Sequence, residues 1–369
     1  MSKTAIVHDW LPVLGGAEHV VKHMIAASGA TDMFTLFNFL SPQDQAYFGD
    51  ITVHASRLNH LPMVDRYYRY LIMACAKAIE DFDLRGYDVV LSSSACFAKG
   101  VLTGVDQNHI AYIHSPPRYA WDLSHEYLED ASGWFGLKRK IAARAFHQLR
   151  LWDMRTIYGM DVVLSNSDFV ARRIQKLYGR AAQTLYPPVD VAQFEHYLQP
   201  HQGEYYVTAC RLVGYKRVDK VVQAFAQMPD KQLVVVGDGP ELKTLQAMAG
   251  PNITFKGYLG RDEVAQTIAH ARAFVYCALE DFGIVPVEAQ AAGVPVIAFG
   301  KGGALETIKG QETPHPTGVF FGQQTPQAIQ EAVAWFDANR TRFSKEACVA
   351  QAHLFEPTRF YTGLQAHLP

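Results

Sequence analysis

Short apolar runs alternate with helix-compatible stretches along most of the chain. In the first half the runs are "TAIVH", "MFTLF", "ITVHA", "DVVLSS", "HIAYIH" and "DVVLSN"; in the second they are "YYVTACRL", "QLVVVG", "ITFKG", "AFVYCA" and "PVIAFG". Nearly every position in them is apolar, which suits strands buried on both faces and predicts parallel sheets covered by helices. Two such series predict two α/β domains. Between them "YPPVDVAQFEHYLQPHQGEYY" carries prolines and no periodicity. The expected division is residues 1–190, a linker at about 187–203, and residues 200–352.

Punctuation sharpens several elements. "SDFVARRIQKLYG" has Ser167 as N-cap and Gly179 at its end, the residues a helix start and stop call for. "PVEAQAAGVP" opens on Pro286 and closes at Gly293 with Pro295 beyond, predicting a helix of barely two turns.

At 369 residues the chain is long enough for two cores. A formal net charge of -2 removes any global electrostatic case for nucleic-acid binding. The five cysteines, Cys75, Cys96, Cys210, Cys277 and Cys348, are widely spaced and form no C-x-x-C pair, so neither a disulfide framework nor a zinc cluster is expected. "MSKTAIVHDW" reads as a first strand rather than a secretory leader, and no run approaches the ~18 apolar residues that span a bilayer. A cytoplasmic protein, at most peripheral on the inner face of the membrane, is the expectation.

The chemistry concentrates in "EDFGIVPVE", where Glu280 and Glu288 stand eight positions apart. The preceding strand puts Glu280 at a carboxyl end, where ligands bind in open α/β sheets. Free N–H groups of Phe282, Gly283, Ile284 and Val285 at the helix start form an anion site. Anion-binding amides between two carboxylates suit a ligand with phosphate in the middle and hydroxyls at both ends, as in a nucleotide sugar. Alone, such a pair could equally be a solvated face. "CRLVGYKRVD" adds Arg211 and Lys216, five apart in a loop that follows a strand, two cations able to neutralise a diphosphate.

The segments "CRLVGYKRVDKVVQAF", "VVVGDGPELKTL", "NITFKGYLGRDEV" and "EDFGIVPVEAQAAGVPVIAFGKGGALETI", with "YPPVD" before them, stand in the order seen in the retaining glycosyltransferases of family 4. The glutamate pair resembles that family's E-x(7)-E motif. "HDWLPVLGGAEHVV" resembles its N-terminal glycine-rich loop, and "AYIHSPPRYAWDL" its active-site histidine segment. Both of these look closest to bacterial mannosyltransferases that use GDP-mannose to build O-antigen or exopolysaccharide.

The resemblance implies a GT-B fold: two Rossmann-like domains facing a central cleft, with the C-terminal helix, residues 356–369, crossing back to the first domain. It implies an acceptor site on the N-terminal domain and a nucleotide-sugar site on the C-terminal one. By position, Glu280 would hold the donor sugar, Glu288 the ribose, and Arg211 and Lys216 the departing diphosphate. Gly257, Tyr258 and Leu259 would flank the base with Arg261 near it, Gly15 and Gly16 would approach the phosphates, and His114 would face the sugar. No carboxylate is placed as a nucleophile on the acceptor side, so front-face substitution is the expected mechanism, with a covalent intermediate at Glu280 the lesser version. Cationic side chains would replace a metal, and no cofactor is expected.

One motif points elsewhere. Asp81 and Asp83 in "EDFDL" have the D-x-D spacing of a metal site, although the reading preferred here is a solvated turn. "VDRYYRYLIMACAKAIEDF", with Arg66 and Arg69, and "KRKIAARAFHQLRLWDMR", with Lys138, Arg139 and Lys140, read as basic, aromatic amphipathic helices. They suit an anionic membrane and a polyprenyl-diphosphate-linked saccharide as acceptor; a solvated helix face is the plainer account. The alternatives are a UDP-sugar donor or a nucleotide-sugar 2-epimerase of similar fold. A dinucleotide-binding oxidoreductase is rejected, because "VVVGDGPE" lacks the full G-x-G-x-x-G.

Overall fold

The computed structural model describes residues 2–130, 137–199 and 203–369, and these fall into two compact units. The first comprises residues up to Tyr186 together with Phe360–Pro369; the second is Pro187–Arg359. The fold is GT-B, each unit an α/β layer built on one parallel sheet.

In the first unit the strands are β1 (Thr4–His8), β2 (Asp32–Thr35), β3 (Thr52–Ala55), β4 (Val89–Ser94), β5 (Asn108–Ile113), β6 (Val162–Ser165) and β7 (Gln183–Thr184). Their order is β3-β2-β1-β4-β5-β6-β7. Alternate residues serve different cores: Ala5 and Val7 of β1 join Phe34, Phe37 and Leu149, while Ile6 joins Val20, Met24 and Leu91. Both sheet faces are therefore covered, which is why these strands read as unbroken apolar runs. The final helix, Pro357–Gln365, buries Phe360 and Leu364 in the second of these cores.

The second unit holds β8 (Tyr205–Ala209), β9 (Gln232–Val236), β10 (Ile253–Gly257), β11 (Ala273–Tyr276), β12 (Val296–Phe299) and β13 (Gly318–Phe321), ordered β10-β9-β8-β11-β12-β13. One core packs Val221, Val222 and Phe225 with strand residues Leu233, Val235 and Val275, and with Ile329, Val333 and Phe336. Each large side chain buried this way stabilises by about 1.5–3 kcal/mol.

Two sequence-based boundaries shift. Of the stretch read as linker, 187–199 belongs to the second unit and contains the helix Val191–Glu195, with Val191 and Phe194 buried; residues 200–202 lie outside the described residues. The "VDRYYRY" stretch is not one helix. It forms two 3-10 turns, Val64–Arg66 and Tyr68–Tyr70, before the helix Ile72–Glu80. The reason is Tyr68, which buries its ring against Trp10, Phe37 and Phe39 and draws the chain inward there. The short helix after Glu280 spans Ile284–Ala291, barely two turns as expected, with Pro286 in its first turn.

Candidate active site

In both sheets the strand order reverses between two neighbours, β1/β4 in the first unit and β8/β11 in the second. Loops leaving the carboxyl ends of such a pair part to opposite sides and open a crevice. In the second unit those loops carry Arg211 and Lys216 after β8 and Glu280 after β11.

The carboxylate of Glu280 is held from both sides. Its Oε1 pairs with Lys216 Nζ, and its Oε2 accepts from the hydroxyl of Tyr276, the last residue of β11. Lys216 closes a 3-10 turn, Gly214–Lys216, and the next residue, Arg217, turns the chain through the left-handed region (φ 56°) into the helix Val218–Ala226. Burial holds the Lys216 pKa below the ordinary lysine value, with Cys210 opposing the fall. Arg211 is exposed, and its guanidinium makes no hydrogen bond or ion pair among the described residues. The arrangement thus contains one cation parked on an acid and one open to a ligand.

The loop from Glu280 to the helix start is rigidly backed. Gly283 sits at φ 90° as the N-cap, where a side chain would be strained and its Cβ would come within 3.0 Å of the Tyr276 hydroxyl. Gly303 donates its N–H to the Glu280 carbonyl at 3.0 Å, and a Cβ on Gly303 would overlap the Phe282 backbone. Phe282 itself is buried, edge to face with Phe355 at 5.4 Å. The amides of Ile284 and Val285 begin the helix, and Pro286 contributes none.

Glu288 lies one turn into the helix Ile284–Ala291. It is 7% exposed, and Arg261 Nη2 lies 3.6 Å from its Oε1. That guanidinium also reaches Asp190 (3.1 Å) and Gln193 (2.7 Å). Burial pushes the Glu288 pKa up to about 7; Arg261 opposes the rise and Asp190 adds to it. Arg261, expected near a base, is here a strut between the 190–193 segment and Glu288. Gly257 (φ 67°) ends β10, Tyr258 after it is 84% exposed, and Leu259 is part-buried.

In the first unit, His114 follows β5 with its Nε2 2.8 Å from the Ser93 hydroxyl. Burial, with the charge of His8 beside it, lowers its pKa to about 3, so the ring is neutral at physiological pH. Gly15 caps the helix Gly16–Ser28, and its N–H is taken by the Glu18 carboxylate at 3.0 Å. Sequence reasoning passed over His8, Glu18, Ser93, Tyr276 and Asp190. The legible signal was a polar residue at the carboxyl end of a buried strand, present at His8, Ser93 and Tyr276.

The remaining candidates are surface features. Asp81 pairs with Lys77 (2.7 Å) and Asp83 with Arg85 (2.7 Å), and both acids are exposed. Arg66, Arg69, Lys138, Arg139 and Lys140 are exposed as well, the lysines and Arg139 on the helix Leu137–Thr156. No helix among the described residues is long and apolar enough to cross a membrane.

With this geometry in place, comparison with known proteins is informative. Residues 191–350 match the family described as glycosyl transferases group 1. The matched stretch lies within the second unit. Glu280, Glu288, Arg211 and Lys216 all lie inside it. The chain is 33% identical, over 245 residues, to a GDP-mannose-dependent alpha-(1-6)-phosphatidylinositol monomannoside mannosyltransferase of Mycobacterium tuberculosis, covering 56% of this chain and 62% of that one. It is 41% identical over 105 residues, 27% of this chain and 32% of the relative, to the N-acetyl-alpha-D-glucosaminyl L-malate synthase of Bacillus anthracis. The chain thus spans less than two thirds of these relatives. Among solved structures, HepE of Anabaena in complex with UDP aligns over 99% of both chains (TM-score 0.70, 14% identity). Sucrose-phosphate synthase from Thermosynechococcus elongatus aligns over 98% of this chain and 97% of its own (TM-score 0.67, 18% identity). At such identities the likeness speaks for the fold alone.

Proposed function

We propose that this protein is a retaining glycosyltransferase that moves an α-sugar, mannose from GDP-mannose, to a lipid-linked saccharide. The observation that carries the reading is the Lys216–Glu280–Tyr276 contact at the switch point of the second unit, with Arg211 open beside it in sequence. A donor's diphosphate would draw Lys216 from Glu280 and join it to Arg211. That would free the Glu280 carboxylate for sugar hydroxyls while Tyr276 keeps it aligned. Two cations would then stabilise the charge that grows on the leaving diphosphate, which is where preorganised charge accelerates most. The same departing phosphate would help deprotonate the acceptor on the front face. Divalent metal has no assigned role in this scheme, so activity is expected to survive a chelator.

The mannosyl donor rests on the GDP-mannose-dependent relative, and the relatives also include an N-acetyl-alpha-D-glucosaminyl L-malate synthase. A UDP-sugar is therefore the second reading. Thermal stabilisation decides between them, because a ligand that binds only the folded state raises the midpoint. GDP and GDP-mannose are expected to raise it; stabilisation by UDP and not by GDP would overturn the mannosyl assignment.

A lipid-linked acceptor, here a polyprenyl-diphosphate saccharide, is supported by one face of the first unit. Met63 (65% exposed), Tyr70 (85%), Leu61 and Met73 are exposed among Arg66 and Arg69. Exposed apolar side chains interleaved with arginines suit an anionic bilayer surface. Sedimentation with anionic liposomes at low salt is the check. Protein left in the supernatant would remove the membrane from the proposal.

A further inference from the structure

Three neighbouring strands of the first unit end in polar residues that touch. His8, the last residue of β1, pairs in register with Ser93 of β4, and His114 follows β5 directly, its N–H donating to Ser94 O at 2.8 Å. The Ser93 hydroxyl lies 2.8 Å from Nε2 of His114 and 3.1 Å from Nδ1 of His8. That Nδ1 is also 3.2 Å from the Ser93 carbonyl, and Nε2 of His8 is 3.6 Å from the Glu18 carboxylate. Glu18 is itself anchored, its other oxygen accepting from Gly15 N–H.

Both ring nitrogens of His8 therefore face acceptors. A neutral imidazole has one N–H and leaves one acceptor facing a lone pair; an imidazolium donates at Nδ1 and turns its Nε2–H toward the Glu18 carboxylate at ion-pair distance, 3.6 Å, rather than in a hydrogen bond. With His8 donating at Nδ1, the Ser93 hydroxyl is left to donate its own proton, and Nε2 of His114 is the atom placed to receive it. We propose that Glu18, His8 and Ser93 are positioning residues that hold His114 as the neutral tautomer with its proton on Nδ1, making that ring a hydrogen-bond donor to ligand.

The charges around the relay agree. Burial works against a charged His8, yet Glu18 and then Asp9 raise its pKa above the ordinary value. Asp9 is held in place by four backbone N–H groups, those of Ala95, Cys96, Phe97 and Ala98, at 2.5–2.8 Å. His8 in turn helps keep His114 uncharged. Which tautomer a histidine adopts is set by the bond its other nitrogen makes, and here that bond is built from three strand ends. The consequence for catalysis rests on the proposed function, in which His114 faces the transferred sugar and its Nδ1–H would bind a sugar oxygen.

The test is a long-range proton–nitrogen correlation spectrum of the whole protein labelled with 15N-histidine, the His114 signals being assigned by their loss in His114→Gln. The expected spectrum shows a protonated Nδ1 and a bare Nε2. A proton on Nε2 in the unaltered protein would overturn the proposal, and this reading needs no activity and no variant of Glu18, His8 or Ser93. Ser93→Ala is expected to give mixed tautomers and Ser93→Thr to restore one. In transfer assays Ser93→Ala should lower kcat about five- to tenfold with KM for the nucleotide sugar unchanged, and Ser93→Thr should recover it. Unchanged kcat in Ser93→Ala would refute the positioning role. Absence of turnover with any nucleotide sugar, beside the expected tautomer, would overturn the proposed function and leave the relay standing.

Discussion

At the scale of single residues, the two glutamates of "EDFGIVPVE" are not equivalent. Glu280 is part-exposed and gripped by Lys216 and Tyr276, whereas Glu288 is buried behind Arg261. Removing the lysine in Lys216→Met should leave the fold intact and lower kcat by about 10²–10³-fold, the cost typical of losing one preorganised group at a developing charge; transfer kinetics are the readout. Glu288 makes a different prediction. Its folded pKa, about 7, lies above the unfolded value of 4.5, so between those pH values the folded chain holds a proton that the unfolded chain has released. Stability conferred by the protonated form is therefore lost as pH rises through that window. Glu288→Gln should abolish this loss. Thermal denaturation without ligand should show the variant gaining on the parent between pH 4.5 and 7, by on the order of 1–3 kcal/mol. A parallel course for the two proteins would mean that Glu288 titrates as an ordinary surface acid.

At the scale of elements, the site depends on glycines that carry no chemistry. Gly303 lets the loop after β12 press against the Glu280–Phe282 backbone, and no side chain fits between them. Gly303→Ala should displace the 280–283 loop, costing about 1–3 kcal/mol by overpacking and lowering transfer more than that loss of stability explains. Denaturant unfolding and kcat measured on the same samples check both halves. "KGGALE" was legible as part of a family pattern, but the reason for its glycines was not, because the close approach joins two loops distant in sequence, Gly303 to Glu280. The "VDRYYRY" stretch teaches the converse. Its charges and aromatics fit a helix, and one ring, Tyr68, won the competition by finding a core to enter.

At the scale of the whole molecule, the chain's end returns to its first unit. Phe360 and Leu364 are fully buried beside Val20, Met24 and Tyr112. Phe360→Ala should cost about 3–5 kcal/mol, and differential hydrogen exchange should place the loss in β1, β4, β5 and the helix Gly16–Ser28 rather than in the sheet of the second unit. By itself the sequence determined the alternation of strands and helices, the division into two α/β units, and the order of short motifs along the second of them. These are local properties: periodicity, capping residues and short motifs are written in neighbouring positions. Only the tertiary structure decided that Lys216 rests on Glu280, that Arg261 and Asp190 close over Glu288, and that Glu18, His8, Ser93 and His114 form one relay. Those contacts join side chains up to roughly a hundred residues apart in the chain. They exist because parallel strands, linked by long crossovers, bring the carboxyl ends of distant segments side by side.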